Sequence, residues 1–215
     1  MNIRLSKLIL LSIFLQVGTT SAAELRIKLT KNGELPLANA VVKLEPRNHK
    51  VKIVPQNKVI DQINKEFVPR IVIVIQGGDI NFPNKDNIKH HVYSFSDAKQ
   101  FELPLYEGVL AESVNFEKPG VVVLGCNIHD WMRGYIYVTD SPYTMLTNRE
   151  GTVSFESLPE DTYKLSIWHP GLNEDLKNMS YTLRGEDSLE INRDVVIKPV
   201  VKIRRNQNRR RNRYD

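Results

Sequence analysis

The stretch FVPRIVIVIQGGDINFPNKD, residues 67–86, contains an unbroken apolar run, which is followed by a pair of glycines and a second short apolar segment. The run over residues 71–75 contains only isoleucine and valine, which predicts a strand buried on both faces. Residues 77–79 predict a turn, and residues 80–83 then alternate apolar with polar side chains until a proline ends the pattern. Short strands joined by tight turns favour an all-β fold.

Five further segments with strand character follow at short intervals. They are HHVYSF (residues 90–95), FELPLY (101–106), SVNF (113–116), GVVVLG (120–125) and GYIYVTD (134–140). Turn signals separate them, as at Pro119-Gly120, and no convincing amphipathic helix interrupts the series. About seven short strands with this spacing predict a β-sandwich in which the residues after Gly125 form a loop between neighbouring strands.

The amino-terminal residues have the pattern of a secretory signal peptide. Two basic residues precede an apolar run over residues 8–17, and the small-residue stretch TTSAAE follows. The run is well short of the roughly 20 apolar residues that a membrane-spanning helix needs. We therefore predict that residues 1–23 are a signal peptide, cleaved after Ala22 or Ala23, and that the mature chain is periplasmic.

The stretch GCNIHDWM, residues 125–132, holds the single cysteine of the chain. In an oxidising compartment, Cys126 could be a buried inert thiol, half of an intermolecular disulfide, or a thiolate that binds a metal. Its neighbours favour a metal, because Cys, His and Met are donors that copper selects and a thioether is a poor zinc ligand. Cys126, His129 and Met132 follow at intervals of three, so a tight loop can turn all three towards one point. Such a loop covers only one side of an ion, so a fourth donor must come from elsewhere.

These residues resemble the cupredoxins, or small blue copper proteins, in an ordered set of motifs. The motifs are Phe67-x-Pro69, Gly78-Asp79, Ile80-x-Phe82-x-Asn84, a histidine that opens the next strand, and Cys-x2-His-x2-Met. The loop spacing is similar to that of amicyanin, whereas plastocyanin and pseudoazurin have longer segments between His and Met. FPNKDNIKHHVYSF, FELPLYEG and LGCNIHDWMRGYIYVTD also look like segments of periplasmic proteins labelled methylamine utilisation proteins, which carry a plastocyanin-like domain. We infer no methylamine metabolism from that label.

The resemblance implies one copper ion bound by His90, Cys126, His129 and Met132. Two imidazoles, a thiolate and a weak axial thioether suit both Cu(I) and Cu(II), so the implied function is one-electron transfer between redox partner proteins. We expect no enzymatic activity, because this ligand set leaves no open position for a substrate. The loop histidine reaches the surface in this family, and Trp131 beside it is predicted either to dock a partner or to pack in the core.

The sequence departs from the family at His91, where small cupredoxins usually have an asparagine after the first ligand histidine. Counted from the loop and from Asn84, His90 aligns with the ligand, and the alternation in HVYSF turns His91 to the opposite face. We therefore predict His90 as the ligand, with His91 and Asn84 in supporting or rim positions. A ligand role for His91 remains the alternative.

Two other functions fit the same donor set. A copper carrier or storage protein would use these ligands but release the metal readily. A non-redox interaction module would keep the metal as a structural element and bind partners through the flanking segments. No Ser-His-Asp order, phosphate-binding loop or dinucleotide glycine motif indicates a class of enzyme.

The segments on either side of the copper motifs predict a second β-sandwich. Strand patterns occur at residues 25–29, 40–44, 153–155 and 163–167, with turns at 32–33 and 159–161. These segments resemble the two ends of a carboxypeptidase regulatory-like (transthyretin-like) domain, whose usual pattern includes T-x-x-x-G and L-P-x-x-x-Y-x-L. We predict that this domain comprises residues 24–50 and 141–200, and that the cupredoxin domain, residues 51–140, is inserted into it. One larger sandwich is the alternative.

Two other histidines lie outside these motifs. His169 comes before a proline with no Cys, His or acidic partner in the next several residues, which predicts a structural or surface role. His49 lies in a charged loop between Asn48 and Lys50, which predicts a solvated side chain.

The positive charge of the chain is concentrated at its ends. The net charge of +5 includes two cations before the apolar run and a net six in residues 202–215, which leaves about −3 for the rest. RRNQNRRRNRYD lacks the apolar residues needed to fold, so residues 201–215 are predicted to be a disordered basic tail. The tail could contact anionic lipid or an acidic partner, whereas the secreted location disfavours nucleic acid despite the arginines.

Overall fold

The computed structural model describes residues 23–108, 112–172 and 176–198. These residues form strands and no α-helix, so the predicted all-β fold is confirmed. In particular, no helix there is long and apolar enough to cross a membrane. The strands are β1 (Ala23–Lys31), β2 (Leu35–Pro36), β3 (Val41–Pro46), β4 (Lys58–Val59), β5 (Asp61–Ile63), β6 (Glu66–Val68), β7 (Ile71–Ile75), β8 (Gly78–Asn81), β9 (His90–Ser96), β10 (Lys99–Tyr106), β11 (Val114–Phe116), β12 (Gly120–Gly125), β13 (Arg133–Thr139), β14 (Thr144–Leu146), β15 (Thr152–Leu158), β16 (Asp161–Trp168), β17 (Leu176–Leu183) and β18 (Ser188–Val195). The predicted basic tail, and all of the predicted signal peptide except Ala23, lie outside the described residues.

The two flanking segments of the chain form one sandwich. One sheet has the strand order β15-β1-β18, with β2 paired to β1, and the other has the order β14-β3-β16-β17. Alternate residues of β1, β3 and β16 point into a shared core, among them the fully buried Leu25, Ile27, Leu44, Tyr163 and Leu165. This is the packing that a side-chain period of two produces when two sheets face one another.

The middle of the chain forms a second sandwich with its own core. A five-stranded sheet has the order β10-β9-β12-β13-β7, a three-stranded sheet has the order β11-β8-β4, and β5 pairs with β6 in a hairpin. β7 is parallel to β13, and the other neighbours in the five-stranded sheet are antiparallel. The core takes residues from both sheets, including Val74, Ile80, Phe116 and Ile136. We call this unit the central sandwich and the other the flanking sandwich.

β7 is buried on both faces, as its unbroken apolar run predicts. Val72 and Val74 face the central core, whereas Ile71 and Ile73 belong to a smaller cluster on the other side. That cluster also contains Trp168 of β16, so the flanking sandwich covers this part of the five-stranded sheet. The boundaries of the two domains, and the carboxypeptidase regulatory-like identity of the flanking one, stay predictions.

The turn between β7 and β8 lies earlier than the sequence pattern predicts. Gly77 has a φ of 84°, which favours glycine, whereas Gly78 already belongs to β8. A Cβ on Gly78 would lie 2.7 Å from the backbone oxygen of Gln56. The second glycine is therefore required by the close approach of another segment and not by the turn.

Candidate metal centre

Strand pairing brings the two halves of the predicted site together. β9 begins at His90, and Tyr93 of β9 pairs with Gly125, the last residue of β12. Cys126 follows directly, and the loop through Met132 leads into β13. The start of β9 and the end of β12 are therefore neighbours, although 36 residues separate His90 from Cys126.

His90, Cys126 and His129 form a buried cluster. Sγ of Cys126 lies 3.9 Å from Nδ1 of His90 and 3.9 Å from Nδ1 of His129. One donor atom from each residue lies within 4.8 Å of the other two, so the three side chains could hold a metal ion. The exposed fractions of the three residues are 0%, 3% and 8% in that order. Water therefore has little access to the donor atoms.

The separations and the donor types suit a single soft or borderline metal ion. An ion with bonds of about 2.3 Å to sulfur and about 2.0 Å to nitrogen holds those two atoms roughly 3.5 to 3.7 Å apart at tetrahedral to trigonal angles. The observed 3.9 Å needs only a small contraction. Two imidazoles and a thiol suit copper or zinc, whereas magnesium and calcium prefer oxygen ligands.

Asp86 binds the other nitrogen of His90, and the sequence analysis missed this residue. Oδ2 of Asp86 lies 2.7 Å from Nε2 of His90. Burial alone would raise the pKa of Asp86, but hydrogen bonds from His90 and from the backbone N–H groups of Lys65 and Asn64 outweigh it and lower that pKa. An ionised carboxylate can only accept, so in the neutral imidazole Nε2 carries the proton and Nδ1 presents its lone pair to Cys126. No local pattern marks this pair, because a spacing of four residues brings side chains together reliably only in a helix.

Asn84 fixes the loop that carries Asp86. Its Nδ2 donates to the backbone oxygens of Ile88 and Tyr106, both at 2.8 Å, and its Oδ1 accepts from the backbone N–H of Asp86 at 3.0 Å. The residue is buried. These contacts support the site through the loop and not by touching the His-Cys-His cluster.

Met132 is buried in the same core as Cys126. Its backbone N–H donates to the carbonyl oxygen of His129 at 2.8 Å, which closes the loop into a tight turn. Cys126 and Met132 also line one groove on the surface together. The two residues belong to one core cluster, and the role of the thioether as an axial ligand stays a prediction.

His91 lies outside the cluster. Its Nε2 is 2.9 Å from Oε1 of Glu102 on β10, and its ring lies 5.6 Å from that of Tyr93. Tyr93 is two residues further along β9, so both rings point to the face opposite His90. Nδ1 of His91 is buried without a hydrogen-bond partner. The structure thus places His90 beside Cys126 and His91 beside Glu102.

Trp131 packs against His129, the most exposed residue of the cluster. Its ring centroid lies 5.2 Å from that of His129, and the residue is 36% exposed. Ile128 of the same loop is also exposed. Trp131 therefore packs against His129 and is partly exposed, and its role in docking a partner stays a prediction.

A surface groove of about 400 Å³ has Cys126 and Met132 among its lining residues. Tyr93 lines the groove, and its ring fills the space above Gly125, where a Cβ would lie 2.7 Å from a ring carbon. Glycine before Cys126 is therefore needed for the tyrosine ring to pack there.

His169 has a structural role, which agrees with the prediction. Its Nδ1 accepts the backbone N–H of Gly171 at 3.0 Å. Burial, followed by the charges of Lys31 and Arg70, lowers the pKa of His169 to about 4. The ring is therefore neutral near pH 7 and lies outside the metal cluster.

The prediction that His49 is simply solvated was wrong. Its Nδ1 lies 2.8 Å from Oδ2 of Asp161, whose side chain is fully buried although the histidine ring is 56% exposed. Asp161 also accepts from the backbone N–H groups of Asn48 and Thr162. Burial alone would raise the pKa of Asp161, but these hydrogen bonds, with that of His49 the largest, hold the pKa well below its usual range. The partner is 112 residues away in the chain, so the composition of the loop could not reveal it.

No protein-family model matches the sequence, and a search of curated proteins finds no match. Solved amicyanin and pseudoazurin structures align with part of the chain. A Cu(I) form of an amicyanin mutant is 18% identical with a TM-score of 0.34, over 38% of this chain and 80% of that chain. A reduced amicyanin mutant is 23% identical with the same TM-score and the same coverage. A Sinorhizobium pseudoazurin is 21% identical with a TM-score of 0.32, over 40% of this chain and 76% of that chain. Each alignment thus leaves more than half of this chain unmatched.

Proposed function

We propose that this protein is a secreted, periplasmic type 1 copper protein of the cupredoxin kind that carries single electrons. The observation that carries the proposal is the buried cluster of His90, Cys126 and His129, in which two imidazole nitrogens face one thiol. These donors, with the thioether of Met132 nearby, are the set that copper prefers.

Copper in such a site supplies a couple between Cu(I) and Cu(II), which exchanges one electron at a time. The side chains keep the donors in place: Asp86 fixes the ring of His90, and the loop is closed by the hydrogen bond between Met132 and His129. Burial keeps water from the donors, and the surrounding sheets preserve their spacing. We expect no enzymatic activity, because four protein donors leave no position for a substrate.

Electrons would enter and leave near Trp131. This ring lies against His129 and is partly exposed, and Ile128 of the same loop is exposed too, so the loop offers exposed apolar side chains close to the proposed ligand. Redox proteins often dock through apolar patches with aromatic residues. The partners are therefore expected to be redox proteins that contact this edge.

The periplasmic location rests on the signal-peptide pattern of the amino terminus. Ala23 is buried at the start of β1 and pairs with Leu158. Cleavage after Ala22 would leave this pairing intact, so it is the cleavage position that the fold favours. Contact of the basic tail with anionic lipid or an acidic partner remains a part of the proposal.

The deciding experiment adds Cu(II) to the purified chain that begins at Ala23 and records its visible and electron paramagnetic resonance spectra. We expect one copper per chain and an intense thiolate-to-copper band. Cys126→Ser should abolish the band and retain the β-sheet circular dichroism, because other residues build the core. His169→Ala is the matched control, since it removes a partly buried histidine outside the cluster and should keep the band. Absence of the band in the wild type, or its persistence in Cys126→Ser, would contradict the proposal.

A copper carrier is the second candidate function, and the observation that favours it is that a thiol and a thioether, Cys126 and Met132, lie in one buried core. Soft sulfur donors bind Cu(I), so the same residues could hold it for transfer to another protein. The two functions differ in the lifetime of the bound metal. An electron carrier should retain Cu(I) against a competing chelator for far longer than one redox cycle, whereas a carrier should release it within that time.

A further inference from the structure

Asp86 joins three segments of the central sandwich at one carboxylate. Its Oδ1 accepts from the backbone N–H of Asn64 at 2.6 Å. Its Oδ2 accepts from the backbone N–H of Lys65 at 2.8 Å and lies 2.7 Å from Nε2 of His90. The side chain of Asp86 is 13% exposed and that of His90 is fully buried. The carboxylate therefore connects the β5–β6 turn, the loop before β9 and the first residue of β9.

The turn between β5 and β6 is shaped to hold this carboxylate. Asn64 has a φ of 54° and Lys65 has a φ of 61°, so two successive side-chain-bearing residues adopt the left-handed conformation. Their neighbouring N–H groups both point at Asp86, which makes the turn a concave site for an anion. The anion that occupies this site is the carboxylate of Asp86.

Further contacts hold the loop and the hairpin together. Asn84 accepts the backbone N–H of Asp86, and Nζ of Lys85 lies 2.8 Å from Oδ2 of Asp61 on β5. Asp86 is therefore restrained by its own backbone as well as by its side chain. Because the ring of His90 is hydrogen-bonded to this restrained carboxylate, it has little freedom to rotate.

The orientation of His90 follows from the chemistry of this contact. An ionised carboxylate has no proton to donate, so the proton of the contact lies on Nε2 of the imidazole. In the neutral ring the remaining nitrogen, Nδ1, then carries a lone pair, and it faces Sγ of Cys126 at 3.9 Å. A metal ligand must present that lone pair.

We propose that Asp86 is a positioning residue that holds His90 with its proton on Nε2 and Nδ1 turned to Cys126, and that its negative charge favours Cu(II) over Cu(I). The first half concerns the chain alone, and the second half rests on the proposed function. Cu(II) carries one more positive charge than Cu(I), so an anion hydrogen-bonded to a ligand stabilises Cu(II) more. The β5–β6 turn is the structural support of this arrangement.

The first experiment uses the metal-free protein and reads the protonation of each histidine ring by ¹⁵N nuclear magnetic resonance near neutral pH. We expect the proton of His90 on Nε2, in slow exchange with water. Asp86→Ala should make that proton exchange rapidly, while Asp86→Asn should keep it on Nε2, because the amide oxygen still accepts. Backbone spectra show whether each variant is folded. A proton on Nδ1 of His90 in the wild type would overturn the positioning role.

The second experiment measures Cu(I) and Cu(II) affinities of the wild type, Asp86→Asn and Asp61→Asn. We expect Asp86→Asn to lose about tenfold more affinity for Cu(II) than for Cu(I), which corresponds to a rise of about 59 mV in the one-electron potential. Asp61→Asn is the matched control, because it removes a negative charge from the same hairpin at a residue that pairs with Lys85. Its two affinities should keep their ratio.

Equal losses of both affinities in Asp86→Asn would overturn the electrostatic half of the proposal. So would equal changes of the affinity ratio in the two variants, since the effect would then come from net charge and not from contact with His90. If the wild type binds no copper, the proposed function fails, whereas the resonance experiment still decides the positioning role.

Discussion

Two histidine–aspartate pairs in this molecule have nearly the same length and opposite burial. Nε2 of His90 lies 2.7 Å from Asp86, and Nδ1 of His49 lies 2.8 Å from Asp161. In the first pair the histidine is fully buried and its other nitrogen faces Cys126. In the second pair the carboxylate is fully buried and the histidine is more than half exposed. The role of each pair follows from which member is buried. The pair of Asp86 and His90 orients an imidazole, whereas the pair of His49 and Asp161 closes a loop over a carboxylate.

The two pairs also differ in the groups that surround their buried members. The carboxylate of Asp161 accepts hydrogen bonds from the backbone N–H groups of Asn48 and Thr162 and contacts the ring of His49. The free nitrogen of His90 instead faces a thiol, beside a second imidazole. A buried polar group whose hydrogen bonds are made by its neighbours stabilises the fold. Buried donor atoms that face one another can instead bind a ligand.

The largest expected difference between the pairs is in copper binding. His90→Ala should abolish the blue spectrum because it removes a donor, whereas His49→Ala should leave it unchanged. His91→Ala should only shift the spectrum, since that ring contacts Glu102 on the other face of β9. Visible spectra of the three copper-loaded variants make the comparison. Loss of the blue band in His91→Ala, with the band retained in His90→Ala, would transfer the ligand role to His91.

The next effect is on stability, and it belongs to the second pair. Asp161→Asn should lower the free energy of unfolding by about 3 kcal/mol, because an amide cannot accept from all the N–H groups that the carboxylate satisfies. The fluorescence of buried Trp168, in a Trp131→Phe background, reports unfolding of the flanking sandwich. Asp187→Asn, which alters an exposed turn carboxylate of the same sandwich, should cost less than about 1 kcal/mol. Equal costs would show that the buried contacts of Asp161 contribute little.

The same contacts predict how the stability of the metal-free protein depends on pH. The pKa of Asp161 is lowered in the folded state, so its stabilisation is complete above the ordinary aspartate pKa of about 4. Below that pH the unfolded chain takes up a proton that folded Asp161 resists, and the stabilisation declines. The stability gap between the wild type and Asp161→Asn should therefore shrink from pH 6 towards about pH 2. A gap that stays constant over this range would show that the charge of Asp161 is not responsible.

The smallest expected effect is a shift in the reduction potential of the proposed copper site. Met132→Gln offers a harder oxygen donor, which favours Cu(II) and should lower the reduction potential. Met132→Leu removes the donor and makes the surroundings more apolar, which favours Cu(I) and should raise the potential. Voltammetry with copper content checked for each variant measures both shifts. Unchanged potentials would mean that Met132 is not an axial ligand, and loss of copper from both variants would mean that it is a main ligand.

Much of the fold could be predicted because strand periodicity is a local property. Leu25, Ile27 and Leu29 alternate in the sequence and are all fully buried, and the run over residues 71–75 is buried on both faces as expected. Part of the site could be predicted for a similar reason, since Cys126 and His129 lie within one short loop. The anchoring carboxylates could not be predicted, because an aspartate in a loop has the same local pattern whether it is solvated or buried.

The sequence by itself determined the all-β architecture and the set of available donors, because side-chain period and ligand chemistry depend on residue type and short-range spacing. Only the tertiary structure decided which of the two adjacent histidines faces Cys126, because that depends on the pairing of β9 with β12, which brings His90 to Cys126 across 36 residues. The tertiary structure also decided that Asp86 orients His90 and that Asp161 closes the loop at His49. Contacts of this kind depend on where separate segments meet, and a pattern along one segment does not specify its neighbours in space.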